Sequence, residues 1–391
     1  MSKIYDFDHI IDRKNTNSVK VDSLKEVFGD NDLIPLWVAD MDFLSPPEIT
    51  EALKQRVEHG VFGYFKPDEN YYTSIINWLE NKHNWTIDKQ AITFIPGVVK
   101  GIAFAIDVFT NPNDRIIIQP PVYPPFKTTT VGLNRESVKN PLILENGQYK
   151  MNFDNLRELA KTDCKMLILC NPHNPAGRVW NKEELIELAE ICFDNNILVI
   201  SDEIHSDLAL PNYTHIPFAT VSEKAAQNNI TLMAPSKTFN IAGIVSSFGV
   251  IENKEIREKY FKYLDARQLG DGTIFGYLAA QYAYEYGSEW LEEAIEYIQK
   301  NIDFVDQYLK KNIPQIKAII PEASFLIWLD CRELNLSQRE LESLFVHKAK
   351  LALNSGTFFG KEGAGFMRLN VGCPQSTLQK ALDNLKKAVV L

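Results

Sequence analysis

The sequence predicts an α/β protein, with a large domain built on a mainly parallel sheet and a smaller α+β domain behind it. Three observations carry this. Between about residues 90 and 250, short apolar runs bounded by turn residues alternate with helical patterns, as strands joined by crossover helices require. After residue 285 the texture changes to a long amphipathic stripe followed by isolated strand-like runs. The length, 391 residues with 45% hydrophobic composition, suffices for one large core and a smaller one.

The predicted strands of the first unit are residues 91–95, 115–119, 166–170, 198–202, 231–235 and 247–251. Their runs IIIQ, MLIL and ILVI are continuously apolar instead of alternating, because helices cover both faces of a parallel sheet. Between them, residues 183–194 place Leu185, Leu188, Ala189 and Cys192 at helical spacing, which predicts a crossover helix. In the second unit Leu291, Ile295, Ile298, Ile302, Val305 and Leu309 step alternately by four and three, predicting a long helix. Segments 325–330 (FLIWLD) and 366–372 (FMRLNVG) are strand-like, and Leu378, Leu382, Leu385 and Val389 stripe a last helix beyond Pro374. Neither an internal repeat nor a low-complexity linker separates the units, so they are expected to pack closely.

Composition excludes several functions. Lys/Arg (41) and Asp/Glu (51) are interspersed, and a net charge of −10 without a basic block argues against nucleic acid as a partner. The start, MSKIYDFDHIIDRKNTNS, lacks the apolar core of a signal peptide, and no later run reaches membrane-spanning length. A cytoplasmic protein with no membrane partner is expected. Cys164, Cys170, Cys192, Cys331 and Cys373 are odd in number and scattered without a C-x-x-C pair, so buried thiols are expected, with no metal site.

Six short motifs remain: PGVVKGI (96–102), PPVYPPF (120–126), NPHNPAG (171–177), SDEIH (201–205), SKTFNIAG (236–243) and MRLNVG (367–372). Most lysines are solvated surface charges, but Lys237 follows an apolar strand, where desolvation yields a reactive amine. Asp202 ends the strand LVISD, where open parallel sheets place ligand-binding groups; it equally suits a helix N-cap. Asn174 lies in a turn enforced by prolines, with an ordinary Asx turn as the plain alternative. Tyr123, between prolines, suits either stacking on a ligand or core packing. Val98 and Val99, at a strand-to-helix junction after Gly97, present backbone N–H groups suited to an anion. Arg368 offers a planar fork for a carboxylate, or is an exposed strand arginine.

Together, in this order and spacing over nearly the whole chain, the motifs resemble the fold type I pyridoxal 5′-phosphate (PLP) enzymes of the class I/II aminotransferase family. The resemblance implies a large PLP-binding domain over 46–285, a C-terminal small domain over 286–391, and an N-terminal segment 1–45 that joins the small domain. It makes Lys237 the lysine that carries the cofactor, with Asp202 on the pyridine nitrogen, Asn174 on the phenolic oxygen and Tyr123 flat against the ring; Lys237, Tyr123 and Asp202 are the catalytic set. Val98, Val99 and Ser236 are implied at the phosphate, and Arg368 with Asn174 at the substrate carboxylate. Tyr64, in GVFGYF, resembles a tyrosine that reaches the neighbour's phosphate across a homodimer, so that the active site is shared between chains. Two positions depart from the pattern: His205 stands where many relatives have a cofactor-touching tyrosine, and Val245 where many have a phosphate-binding arginine.

A narrower resemblance comes from LWVADMDF (36–43) combined with GVFGYF, NPHNPAGRVW, SDEIHSD and SKTFNIAG, and it is to the MalY/PatB-type cystathionine β-lyases, or carbon–sulfur lyases. It implies Ala39 near the substrate carboxylate, Asp40 near its side chain, and α,β-elimination from L-cystathionine or another S-substituted L-cysteine to a thiol, pyruvate and ammonia. An aminotransferase uses the same Lys237, Asp202 and Arg368 and stands as the alternative. Some relatives in this branch also bind a transcriptional regulator, a role that nothing in this sequence specifically motivates.

Overall fold

The computed structural model describes residues 5–390. Seven strands form the large sheet: β1 (Ile92–Ile95), β2 (Arg115–Ile118), β3 (Glu136–Lys139), β4 (Cys164–Cys170), β5 (Leu198–Asp202), β6 (Asn229–Met233) and β7 (Ser247–Val250). Their spatial order is β1-β7-β6-β5-β4-β2-β3. All run the same way except β7, which is antiparallel to both neighbours. The carboxyl ends of six strands and the amino end of β7 therefore share one edge of the sheet.

Two departures from the sequence expectation have simple causes. The strand expected over 231–235 stops at Met233, because Pro235 has no N–H for a ladder and instead opens a one-turn helix. The strand β3 was not expected at all: its residues, ESVK, bury only Val138, as suits a polar edge strand that no apolar run announces.

Four helices frame the site and the core beside it: α1 (Glu69–His83), α2 (Val98–Phe109), α3 (Pro235–Thr238) and α4 (Ser288–Asn312). α4 buries Leu291, Ile298, Ile302, Val305 and Leu309 along one stripe, each worth roughly 1.5–3 kcal/mol of removed apolar surface. The smaller sheet is antiparallel, with β8 (Lys317–Ile319), β9 (Leu326–Asp330), β10 (Asn354–Ser355) and β11 (Phe366–Asn370) in the order β8-β9-β11-β10. Residues Ile34–Pro35 pair in parallel with Leu351–Ala352, which stitches the N-terminal segment to this unit. One apolar core runs from Phe94 and Phe248 of the large sheet through Phe239 and Trp290 to Phe325 and Leu369 of the small one. All five cysteines are buried free thiols.

Candidate active site

A cavity of about 450 Å³ opens at the sheet edge where the strand ends gather. Open parallel sheets characteristically bind ligands beyond the carboxyl ends of their strands. Each sequence motif delivers a wall residue: Gly97 to Lys100 after β1, Tyr123 after β2, Asn174 after β4, Asp202 and His205 from β5, Ser236 and Lys237 after β6, and Arg368 from β11. Val245, Ser246 and Ser247 join them because antiparallel β7 starts at the same edge.

Lys237 sits on α3, one turn beyond β6, and its Nζ donates to the carbonyl of Ala39 at 2.6 Å. Burial pushes its amine down to about 8; Asp40 and Asp202 oppose this, while Arg368 adds to it. Asp202 accepts the Ile204 N–H at 3.1 Å and caps no helix, since the next helical turn begins at Ser206 with His205 before it. Burial lifts its carboxyl to about 7, opposed by the Ile204 N–H and by Lys237. His205 is pushed down to about 3 by burial and by the charges of Lys237 and Arg368, which keeps its ring neutral. Its Nδ1 is buried with no hydrogen-bond partner. Burial raises the Tyr123 hydroxyl, and the neighbouring Asp202 adds to the shift.

Arg368 is 4% exposed, and each of its anchors is neutral. Nη1 donates to Asn174 Oδ1 at 3.0 Å, and Nη2 to the Trp37 carbonyl at 2.8 Å and to Asn354 Oδ1 at 2.6 Å. Its Nε is buried without a partner, and its Cζ lies 4.8 Å from the Phe359 ring centroid. Burial lowers this guanidinium to about 10. A charge held this way suits an incoming carboxylate. The exposed-arginine alternative is therefore set aside.

Gly97 has φ +120 and ψ 141, a backbone conformation in practice confined to glycine, and it opens α2 without a side-chain cap. The first-turn N–H groups of Val98 and Val99 are thus left for an anion at the positive end of the helix dipole.

The loop 36–43 forms the opposite wall, and it is tied down on three sides. Asn370 Nδ2 donates to the carbonyls of Val38 and Asp40 at 2.6 and 2.7 Å. Asn240 accepts the Met41 N–H and donates to the carbonyls of Met41 and Phe43. Arg13 and Lys20 grip Asp40 and Asp42.

Asp40 is not among the residues that line this cavity; its carboxylate bonds Arg13 at 2.7 Å and lies 3.5 Å from Lys20, which anchors the loop, while its charge still acts on Lys237. Tyr64, expected at a neighbour's phosphate, lies outside the cavity of its own chain and is fully exposed in the segment 60–68. Lys237, Tyr123, Asp202, Asn174, His205, Ser236, Val98, Val99, Arg368 and Ala39 are brought together. Sequence reasoning missed Asn354, which β10–β11 pairing sets opposite Arg368, and also Trp37 and Phe358 on the wall. No motif carried Asn354 or Phe358, and strand register is what places Asn354; Trp37 lies within the LWVADMDF motif but was not singled out there.

The cavity's groups fit pyridoxal 5′-phosphate. An uncapped helix start suits its phosphate, a buried carboxylate its basic ring nitrogen, a low-pKa lysine its aldehyde, and the unpartnered Nδ1 of His205 a further polar group.

Comparisons with known proteins agree with this geometry. The family model described as aminotransferase class I and II matches residues 31–385. Cystathionine beta-lyase PatB of Bacillus subtilis is 43% identical, covering 98% of this chain and 99% of its own. Protein MalY of Escherichia coli is 34% identical over 99% of both chains. Among solved structures, cystalysin from Treponema denticola, which contains a pyridoxal 5′-phosphate cofactor, superposes with a TM-score of 0.96 at 38% identity and covers 99% of each chain.

Proposed function

The chain belongs to the class I and II aminotransferase family, and we propose that it is a PLP-dependent carbon–sulfur β-lyase. Its substrate is L-cystathionine or another S-substituted L-cysteine, cleaved by α,β-elimination to a thiol, pyruvate and ammonia. The observation that carries the amino-acid part is Arg368, a buried guanidinium with only neutral partners, in the same cavity as Lys237 and Asp202.

Bound PLP supplies an aldehyde that takes up the substrate's amine and a ring that draws electrons from Cα. The remaining work falls to the protein's side chains. The N–H groups of Val98 and Val99 and the Ser236 hydroxyl hold the phosphate. Asp202 keeps a proton on the ring nitrogen, and a cationic partner there offsets the burial that otherwise lifts its carboxyl. Tyr123 and His205 line the cavity where they would flank the ring. Arg368 and Asn174 fix the substrate carboxylate, with the Ala39 backbone beside it. Lys237 takes the Cα proton: with its amine near 8, roughly a tenth is neutral at pH 7, far more than for an ordinary lysine. With the Cα proton on Lys237 the Cβ–S bond can break; the thiolate leaves and takes up a proton, and water adds to the remaining three-carbon fragment to release pyruvate and ammonia.

The protein works in the cytoplasm as a homodimer, with Tyr64 of one copy completing the phosphate site of the other. The exposed run Val61, Phe62, Tyr64 and Phe65, more apolar than a solvated surface needs, supports this pairing. Among the described residues no helix is long and apolar enough to cross a membrane. We divide the chain into a large domain over 46–285 and a small one over 286–391 joined by residues 1–45, on the strength of the Ile34–Pro35 pairing with Leu351–Ala352.

The direct test incubates PLP-loaded protein with L-cystathionine and no keto acid. Equal, catalytic amounts of pyruvate and free thiol are expected. An aminotransferase without an acceptor stops after one half-reaction that leaves the C–S bond intact, and gives neither product.

A further inference from the structure

One residue away from each of Lys237 and Asp202, a sealed polar cluster begins. Asp207 Oδ1 accepts from Trp78 Nε1 at 2.9 Å and lies 2.7 Å from His83 Nε2, while its Oδ2 accepts from Thr238 Oγ1 at 2.7 Å. Glu203 Oε2 lies 2.7 Å from His215 Nε2, and its Oε1 accepts from Ser201 Oγ and the Phe218 N–H at 2.8 and 2.9 Å. The rings of His83 and His215 meet edge to face at 5.4 Å, joining the two halves. All four titratable side chains are buried. Hydrogen bonds from His83, Trp78 and Thr238 hold Asp207 below the ordinary carboxyl range although burial opposes them.

Burying such groups costs free energy that an apolar cluster of similar volume would not, so stability alone gives little reason for them. The geometry supplies a better one. α3 is a single turn and cannot hold its own orientation. Thr238 ties that turn to Asp207, and Lys237 is the residue before it. Asp207 in turn bonds two side chains of α1, a helix of 15 residues with its own N-cap. A hydrogen bond fixes direction as well as distance, which apolar packing does not.

We propose that Asp207 is a positioning residue: through Thr238 it fixes the turn that carries Lys237, and through His83, His215 and Glu203 it locks that turn to the strand end that carries Asp202. The proposal rests on Lys237 being the cofactor lysine.

The test uses the PLP-loaded enzyme with Thr238→Val, which removes only the hydroxyl, alongside Thr238→Ser and Asp207→Asn. Two quantities are read: kcat and KM for L-cystathionine, and the pH midpoint at which the visible absorption of bound PLP changes. Lys237, whose environment sets that midpoint, faces Asp40, Asp202, Arg368 and His205, and none of these is altered. Thr238→Val should lower kcat about tenfold or more with KM nearly unchanged, as expected when a reacting amine is misplaced by a fraction of an ångström. It should also move the midpoint by about half a pH unit, since the charges around the amine then act from different distances. Thr238→Ser should restore both, and Asp207→Asn should behave like Thr238→Val. A Thr238→Val enzyme that melts earlier yet keeps wild-type kcat and midpoint would overturn the proposal, leaving the cluster merely structural. Should that variant fail to fold, Asp207→Asn, which keeps the shape but leaves one accepting oxygen for donors on two sides, decides by the same two readouts. If wild-type protein shows no PLP absorption that depends on Lys237, the cofactor assignment itself falls, a failure distinguishable from that of the proposal.

Discussion

Lys20 and Arg368 are both buried cations, 0% and 4% exposed, and their surroundings are opposites. Lys20 reaches Asp42 at 2.7 Å and Asp40 at 3.5 Å, and Arg13 bonds the same two carboxylates, so two positive charges meet two negative ones. Arg368 is held by two amide oxygens and one backbone carbonyl, with an aromatic face over its Cζ. Among the described residues no carboxylate pairs with it. A charge balanced within the chain holds structure in place; a charge held rigid but unbalanced is built to meet one from outside. The first cluster fixes the loop that forms one wall of the cavity, and the second reads what enters.

Substitutions can break this contrast, and the largest effect belongs to the lysine between the two clusters. Lys237 touches the loop held by Lys20, through the Ala39 carbonyl, and lies near Arg368. Lys237→Ala should cut turnover by about 10⁴-fold or more and abolish its visible PLP absorption, with no loss of thermal stability, because it leaves both clusters intact. Retained absorption would mean that another amine carries the cofactor. Next in size, Lys20→Met should destabilise the protein by roughly 3 kcal/mol, since two carboxylates would then share only Arg13. Urea unfolding checks this, and a change below about 0.5 kcal/mol would show that Lys20 is not the counter-charge it resembles.

The smallest effect concerns pH. The amine of Lys237 is lowered to about 8, so its reactive neutral form grows as pH rises and saturates above that value. Capture of PLP by cofactor-free protein, followed by absorbance, should therefore speed up about tenfold per unit below pH 8 and level off beyond it. A rate that keeps climbing to pH 10 would indicate an ordinary, solvated lysine.

The strands β2, β4 and β5 were legible because burial on both faces leaves uninterrupted apolar runs, and Lys237, Asp202, Asn174 and Tyr123 stood out in short motifs at or just after strand ends, with Arg368 inside β11 picked out by the resemblance of its motif. What stayed hidden is pairing across long sequence distances. Nothing near Asp40 in the sequence announces Arg13, 27 residues away, which holds its carboxylate. Asp207 meets His83 across 124 residues, and Asn354 meets Arg368 only through strand register. Local patterns specify elements; they do not say which charges will be neutralised when those elements pack.

The contrast between the two cations is tested most directly by what Arg368 recognises. Binding of L-alanine and of ethylamine, its decarboxylated counterpart, to the PLP-loaded protein can be titrated by absorbance in wild type and in Arg368→Leu. The wild-type enzyme should prefer the amino acid by about 100-fold, the order expected for charge-assisted hydrogen bonds to one carboxylate. The variant should keep its stability within about 1 kcal/mol and lose nearly all of that preference. A variant that still discriminates as wild type does would show that another group reads the carboxylate, and that the unbalanced charge of Arg368 serves some other end.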